Sequence, residues 1–164
     1  MAYNGKSIFD VLNLSVTEAI DFFGDKKDIL NKIKPLDDVG LGYVKLGQSS
    51  NTLSGGEAQR VKLASYLGKE RSTEKIFFIF DEPTTGLHFH DINKLLDALN
   101  ALVEKGHTVV IVEHNMEVIK SADWLIDLGP DGGKGGGELL FQGVPEDLIK
   151  IKRSHTAKYL KEKF

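Results

Sequence analysis

The sequence predicts an α/β fold with a parallel-sheet core, on three observations. Two short apolar runs rich in β-branched and aromatic residues, Ile76–Phe80 and His107–Val112, each stop abruptly at polar residues. A helical stripe, Leu95, Leu96, Leu99, Leu102 and Val103, lies between them in a segment from about His90 to Lys105 that Gly106 terminates. The 17 glycines cluster at Gly40–Gly56 and Gly129–Gly143, which leaves strands and helices nearly glycine-free.

Taken in order, Gly5-Lys6-Ser7 spells the end of a phosphate-loop pattern, but only four residues precede Gly5, so the pattern's first glycine has no place. Ser15–Glu18 opens a helix running through Phe23, with Val16, Ala19, Ile20 and Phe23 on one stripe and Gly24 after it. A second helix is expected over Asp25–Leu36, with Ile29, Leu30 and Ile33 inward and Lys26, Lys27, Lys32 and Lys34 outward. Pro35 and then Gly40 end that run. These lysines read as a solvated face or as a phosphate-backbone contact.

A glycine-spaced connector, Leu41–Asn51, leads to Leu53-Ser54-Gly55-Gly56-Glu57 and a helical run over Ala58–Leu67. Ser54 and Glu57 fit a capping box. That leaves two glycines in the first turn unexplained, where each weakens a helix by roughly 1 kcal/mol relative to alanine. Glycines there let an anion approach backbone N–H groups at the positive end of the helix.

The run Ile76–Phe80 is expected to be a strand buried on both faces, ended by Asp81-Glu82-Pro83 because proline cannot continue the ladder. Two carboxylates at the C-terminal edge of a parallel strand sit where α/β sheets bind ligands. They are either polar residues closing a strand or a working pair, Asp81 for Mg²⁺ and Glu82 for an attacking water. Thr84–Leu87 turns into the next helix. His88 and His90, two apart, do not share a helix face and suggest no metal site. His114 follows the second strand and can reach a phosphate oxygen or simply bond to a neighbouring loop. Asn115 is expected to cap a short helix to Lys120, and Trp124–Leu128 to be a further core strand. GPDGGKGGG at Gly129–Gly137 fails as a phosphate loop, since Leu128 stands where the first glycine should be and Gly135 where Ser/Thr should be. It reads as a hairpin loop into an edge strand, Glu138–Phe141, before Pro145 opens a helix. The basic amphipathic tail Ile151–Phe164 is expected to pack on its own domain.

At 164 residues the chain can bury one real core, with room for a small appendage. Its net charge of −3 makes it no electrostatic magnet for nucleic acid or membrane as a whole. With no cysteine it holds neither disulfides nor thiolate metal sites. No apolar run approaches the roughly 20 residues needed to cross a bilayer, and no secretory pattern opens the chain. A soluble, cytoplasmic domain without membrane contact is the expectation.

LSGGEAQRV, a strand ending in DEP, a TTGLH turn and a second strand ending in EH together resemble the ATP-binding cassette ATPases. In that family Leu53–Val61 would be the signature motif, Ile76–Glu82 the Walker B strand, Thr85–His88 the D-loop and His114 the switch histidine. The resemblance implies ATP and Mg²⁺ as cofactors. It makes Glu82 and His114 catalytic, Asp81 the Mg²⁺ residue (directly or through water), and Ser54, Gly55, Gly56, Glu57 and Gln59 nucleotide contacts. Within these ATPases, YNGKSIFDVLNLSVTEAIDFF, VGLGYVKLGQSSNTLSGGEAQRVKLA, IVEHNMEVIKSADWLIDLGPDGG and SHTAKYL look like the UvrA family of damage-sensing subunits in bacterial excision repair.

The sequence lacks a Walker A loop and the family's zinc-binding cysteine pairs, so the resemblance implies a C-terminal fragment whose Walker A and zinc lie upstream in the parent. Residues 1–52 would form a helical lobe and 53–164 the C-terminal part of the second nucleotide-binding domain. The implied partners are the rest of the parent chain, UvrB, damaged double-stranded DNA and a second parent copy. Two other readings are half of an SMC-like chromosome-maintenance ATPase, though no heptads flank the signature, and a non-catalytic DNA- or protein-docking module.

Overall fold

The computed structural model describes residues 2–68, 74–133 and 136–164, and the chain divides into two compact units, Met1–Val112 and Glu113–Phe164.

The first unit opens with a hairpin, β1 (Ala2–Tyr3) and β2 (Lys6–Ser7), joined at Asn4-Gly5, where both residues have positive φ as a two-residue hairpin turn requires. The Gly-Lys-Ser triplet is therefore turn, strand and cap. Ser7 caps α1 (Ile8–Asn13) in a capping box with Asp10, a helix the sequence reading passed over although Ser7-x-x-Asp10 signals it. Helix α2 (Val16–Phe22) starts at a second capping box, Ser15 with Glu18, and buries Val16 and Ala19.

Helix α3 (Lys27–Asp38) runs through Pro35, where the sequence suggested an end. Proline removes one donor without breaking the turns beyond it. The stop comes from Gly40, at φ 77°, in a Schellman arrangement: Leu41 N donates to Leu36 O (2.9 Å) and Gly40 N to Asp37 O (2.9 Å). Leu36 and Leu41 then pack into the same core.

A 3₁₀ turn at Ser50–Thr52 precedes α4 (Gly55–Leu67). Strand β3 (Phe77–Asp81) pairs in parallel with β4 (Thr108–Val112) in the register Phe77↔Thr108 to Asp81↔Val112, and α5 (Phe89–Glu104) connects them. Phe78 and Phe80 of β3 point into a core with Leu63 and Ala64 of α4 and Leu95, Ala98, Leu99 and Leu102 of α5. Val103, expected in the buried stripe, is largely exposed. Phe77 and Ile79 are 62% and 67% exposed, so β3 is not buried on both faces as its composition suggested. One helical layer covers β3–β4 among the described residues, and alternation sends every second side chain to the uncovered face.

In the second unit Asn115 caps α6 (Met116–Lys120) through its side chain, as expected. Strands β5 (Leu125–Gly129) and β6 (Glu138–Gly143) form an antiparallel pair with a bulge at Asp127/Leu128. Trp124, Ile126 and Leu128 are exposed, which corrects the expectation of a core strand there. The parallel sheet is thus the β3–β4 pair alone among the described residues. Pro145 opens α7 (Pro145–Leu148) at its first position, and α8 (His155–Leu160) buries Ala157 and Leu160 against Ile119 and Leu148. Lys134 and Gly135, weighed above as part of a phosphate loop, lie outside the described residues. No helix among the described residues is long and apolar enough to cross a membrane.

Candidate functional site

The start of α4 and the end of β3 meet in the first unit. Ser54 caps α4 in a reciprocal box: its hydroxyl accepts from Glu57 N (3.3 Å), and the Glu57 carboxylate accepts from Ser54 N (2.7 Å). The capping box is real, and it leaves two donors over. The Gly55 and Gly56 amides make no hydrogen bond to the described residues. A Cβ at Gly55 would meet nothing within 4 Å, so the tip is open to a ligand. Gly56 has another reason to be glycine: a Cβ there would lie 3.1 Å from Thr85 O. Side-chain absence at Gly56 lets the helix pack on the turn after β3.

That packing is reinforced by the next turn of the helix. The Gln59 amide group donates to Asp81 O (2.9 Å) and accepts from Asp81 N (3.2 Å). Arg60, fully buried, donates from Nη1 to Pro83 O (2.7 Å) and Thr85 O (3.2 Å). Gln59, a nucleotide contact by resemblance, thus has both amide atoms engaged on the strand end. Sequence reasoning missed Arg60 altogether, since a buried guanidinium facing backbone carbonyls has no one-dimensional signature.

Asp81 and Glu82 are exposed at the C-terminal end of β3. Glu82 has φ 46°, in the left-handed region, which costs a non-glycine residue on the order of 1 kcal/mol. The flanking bonds hold it there: Glu82 N donates to Val112 O (2.9 Å), and Thr85 N to Glu82 O (3.1 Å). Among the described residues no group of three His, Asp or Glu side chains could cage a metal. A single strand-end carboxylate such as Asp81 instead fits Mg²⁺, which keeps waters and substrate phosphates as its other ligands. His88 is the N-cap residue of α5, and the side chain of His90 lies outside the described residues. His114 is exposed at the start of the second unit, where its backbone N–H and that of Asn115 donate to the Glu113 carboxylate (3.0 and 3.1 Å).

Tyr43 donates its hydroxyl to Glu57, and this bond, with that from Ser54 N, holds the Glu57 carboxyl below the ordinary glutamate range. Burial, then the bond to Glu57, pushes the Tyr43 phenol up. A carboxylate whose pKa folding lowers adds stability that is complete above the unfolded value and disappears as pH falls through the folded one. Glu57→Gln should therefore lower the melting temperature at neutral pH. The gap from wild type should close as pH falls below the ordinary glutamate range, as thermal denaturation across pH 7 to 3 would show (roughly that window).

The site is a glycine-rich helix start bonded to the backbone of a parallel strand end that bears two carboxylates, and solved structures share the fold that holds it. A bacterial Atm1-family ABC exporter with ATP bound shares the fold over 93% of this chain (TM-score 0.54, 23% identity, 26% of that chain). Over nearly its whole length the chain is similar to a stretch of UvrABC system protein A. It is 59% identical over 162 residues to UvrABC system protein A of Agrobacterium fabrum and 58% over 160 to that of Rhizobium meliloti. The crystal structure of UvrA2 from Deinococcus radiodurans matches 99% of the chain (TM-score 0.83, 46% identity, 20% of that chain). The chain covers 99% and 98% of itself in the two sequence matches but spans 16% of the length of those curated relatives. No family model matches it.

Proposed function

We propose that this chain supplies the signature helix, Walker B strand, D-loop and switch histidine of one ATP-hydrolysing domain in a UvrA-type DNA-repair ATPase. The observation that carries the reading is the junction at 81–85, where α4, whose Gly55 and Gly56 amides have no partner among the described residues, is bonded to the strand end that bears Asp81 and Glu82. Ser54, Gly55 and Gly56 contact the phosphates of ATP held by another nucleotide-binding domain, Glu57 fixes the cap that presents them, and Gln59 braces the strand end.

Glu82 orients the attacking water and takes its proton as the water oxygen bonds to the γ-phosphorus. The bond from that phosphorus to the bridging oxygen breaks, giving ADP and phosphate. Asp81 would hold Mg²⁺, which when bound neutralises charge on the phosphates. His114 senses the γ-phosphate.

In the longer protein this hydrolysis serves excision repair: nucleotide state switches a homodimer of the parent on damaged double-stranded DNA and governs loading of UvrB in the cytoplasm. The phosphate-binding Walker A loop and the structural zinc belong to other parts of that protein. Residues 1–52 are its helical lobe and 53–164 the remainder of the cassette.

The test is a chimera, full-length Agrobacterium fabrum UvrA in which this chain replaces its matching stretch. The chimera should hydrolyse ATP with Mg²⁺, and Ser54→Trp at the helix tip should abolish that. The chain by itself should show negligible turnover. Robust Mg²⁺-dependent turnover by the chain alone, or an unaffected Ser54→Trp chimera, would overturn the composite-site reading.

A further inference from the structure

Gln59 and Arg60 take no part in bond making or breaking in the chemistry described, yet each makes two hydrogen bonds to the strand end. Gln59 lies against the edge of β3 that does not pair with β4. Its primary amide, offering one donor and one acceptor to Asp81, acts there as a single peptide unit of a neighbouring strand would. Arg60 is 0% exposed and spends Nη1 on two backbone carbonyls of the segment after β3, those of Pro83 and Thr85. Among the described residues its Nε and Nη2 have no hydrogen-bond partner, so this guanidinium is retained at the expense of two unmet buried donor nitrogens. Such an arrangement makes little sense as a stability device, because an apolar side chain would fill the space without that penalty.

Between the two anchored points lies Glu82 with its left-handed backbone. A strained conformation persists where its surroundings over-determine it. Residue 81 is held on both polar backbone atoms by Gln59, residue 83 on its carbonyl by Arg60, and residue 82 on its amide by Val112 O.

Resting on the reading of Glu82 as base, we propose that Gln59 and Arg60 form a clasp that fixes the backbone of Asp81–Thr85 and thereby aims the Glu82 carboxylate. They are positioning residues. Because they lie one turn beyond the anion-facing tip of α4, the clasp also ties that tip to the catalytic strand end of the same chain. A shift of α4 as phosphate engages Ser54–Gly56 is passed to Glu82 through the four hydrogen bonds of the clasp, so occupancy of one composite site is felt at the base belonging to the other.

The experiment places Gln59→Leu, Arg60→Met and Arg60→Lys in the chimera and, separately, in this chain labelled with ¹⁵N. In the chimera, kcat should fall about 10- to 100-fold for Gln59→Leu and Arg60→Met, the range expected when a catalytic group is misplaced by an ångström or less. The KM for ATP should stay within about threefold, since ground-state contacts are untouched. Arg60→Lys should recover part of the loss, because an ammonium can still reach one carbonyl. In the chain alone, the amide resonances of Glu82 and Thr85 should move in both Gln59→Leu and Arg60→Met. Should Arg60→Met fail to fold, Gln59→Leu, at a half-buried position, carries the test. Wild-type kcat in Gln59→Leu beside an inactive Glu82→Gln would sink the clasp and leave the base assignment standing. An active Glu82→Gln would instead sink the base assignment. The clasp would then be judged on the Glu82 and Thr85 resonances, and it fails if they do not move.

Discussion

Glu82→Gln in the chimera should lower ATP turnover by about 10²–10⁴ while nucleotide binding survives, the loss typical of removing a positioned general base. The substitution is nearly isosteric, so it keeps the backbone at φ 46° and leaves the flanking bonds to Val112 O and from Thr85 N intact. What disappears is the carboxylate that accepts the proton from water. An effect confined to kcat would assign Glu82 to the transition state, whereas a rise in KM with kcat unchanged would assign it to ground-state binding. Asp81→Asn gives the useful contrast. Its backbone stays clasped by Gln59, but losing the charge for Mg²⁺ should make turnover demand more Mg²⁺, and excess Mg²⁺ should restore part of it, as it cannot for Glu82→Gln. Two adjacent carboxylates would then separate by their response to one ion. Near wild-type turnover in Glu82→Gln would remove it from the role.

Much of this site could be read in one dimension, and the unread part has a common cause. The helix starts at Ser15, Ser54 and Asn115 were legible because caps are local: donor and acceptor lie within three residues. The stop of β3 after Asp81 and the turn into α5 were legible for the same reason. Pro35 misled because its rule concerns one missing donor, and the helix terminates where Gly40 can adopt positive φ. Arg60 was illegible because its partners lie 23 and 25 residues away and are backbone carbonyls, which carry no residue identity. Capping-box and anion-site readings of Ser54–Glu57 looked like rivals in the sequence. They are compatible in the structure, since the box uses the Ser54 and Glu57 amides and spares those of Gly55 and Gly56.

The burial of β3 gives the second large expectation, because composition and structure disagree there. Five apolar residues in a row, Ile76–Phe80, promise equal burial, but pleating makes Phe77 and Phe78 opposites. Phe78 is a hub: its ring meets Tyr66 edge-on at 5.0 Å, lies stacked with Phe80 at 6.0 Å and contacts His107 at 5.6 Å. Phe78→Ala removes those contacts and leaves a void walled by α4 and α5, which relax little because each is pinned by other core leucines. The expected loss is about 3–5 kcal/mol, a large share of the 5–15 kcal/mol that stabilises a typical domain. Phe77→Ala, one residue earlier on the exposed face, should cost less than about 1 kcal/mol, mostly lost strand preference. Urea denaturation of the two variants of this chain measures the difference directly. A gap of several kcal/mol would establish that α4 and α5 hold β3 from one side only, so the backbone carrying Asp81 and Glu82 is fixed by that single layer. Equal losses would mean that Phe77 is covered too, and that β3 has the second buried face its composition suggested.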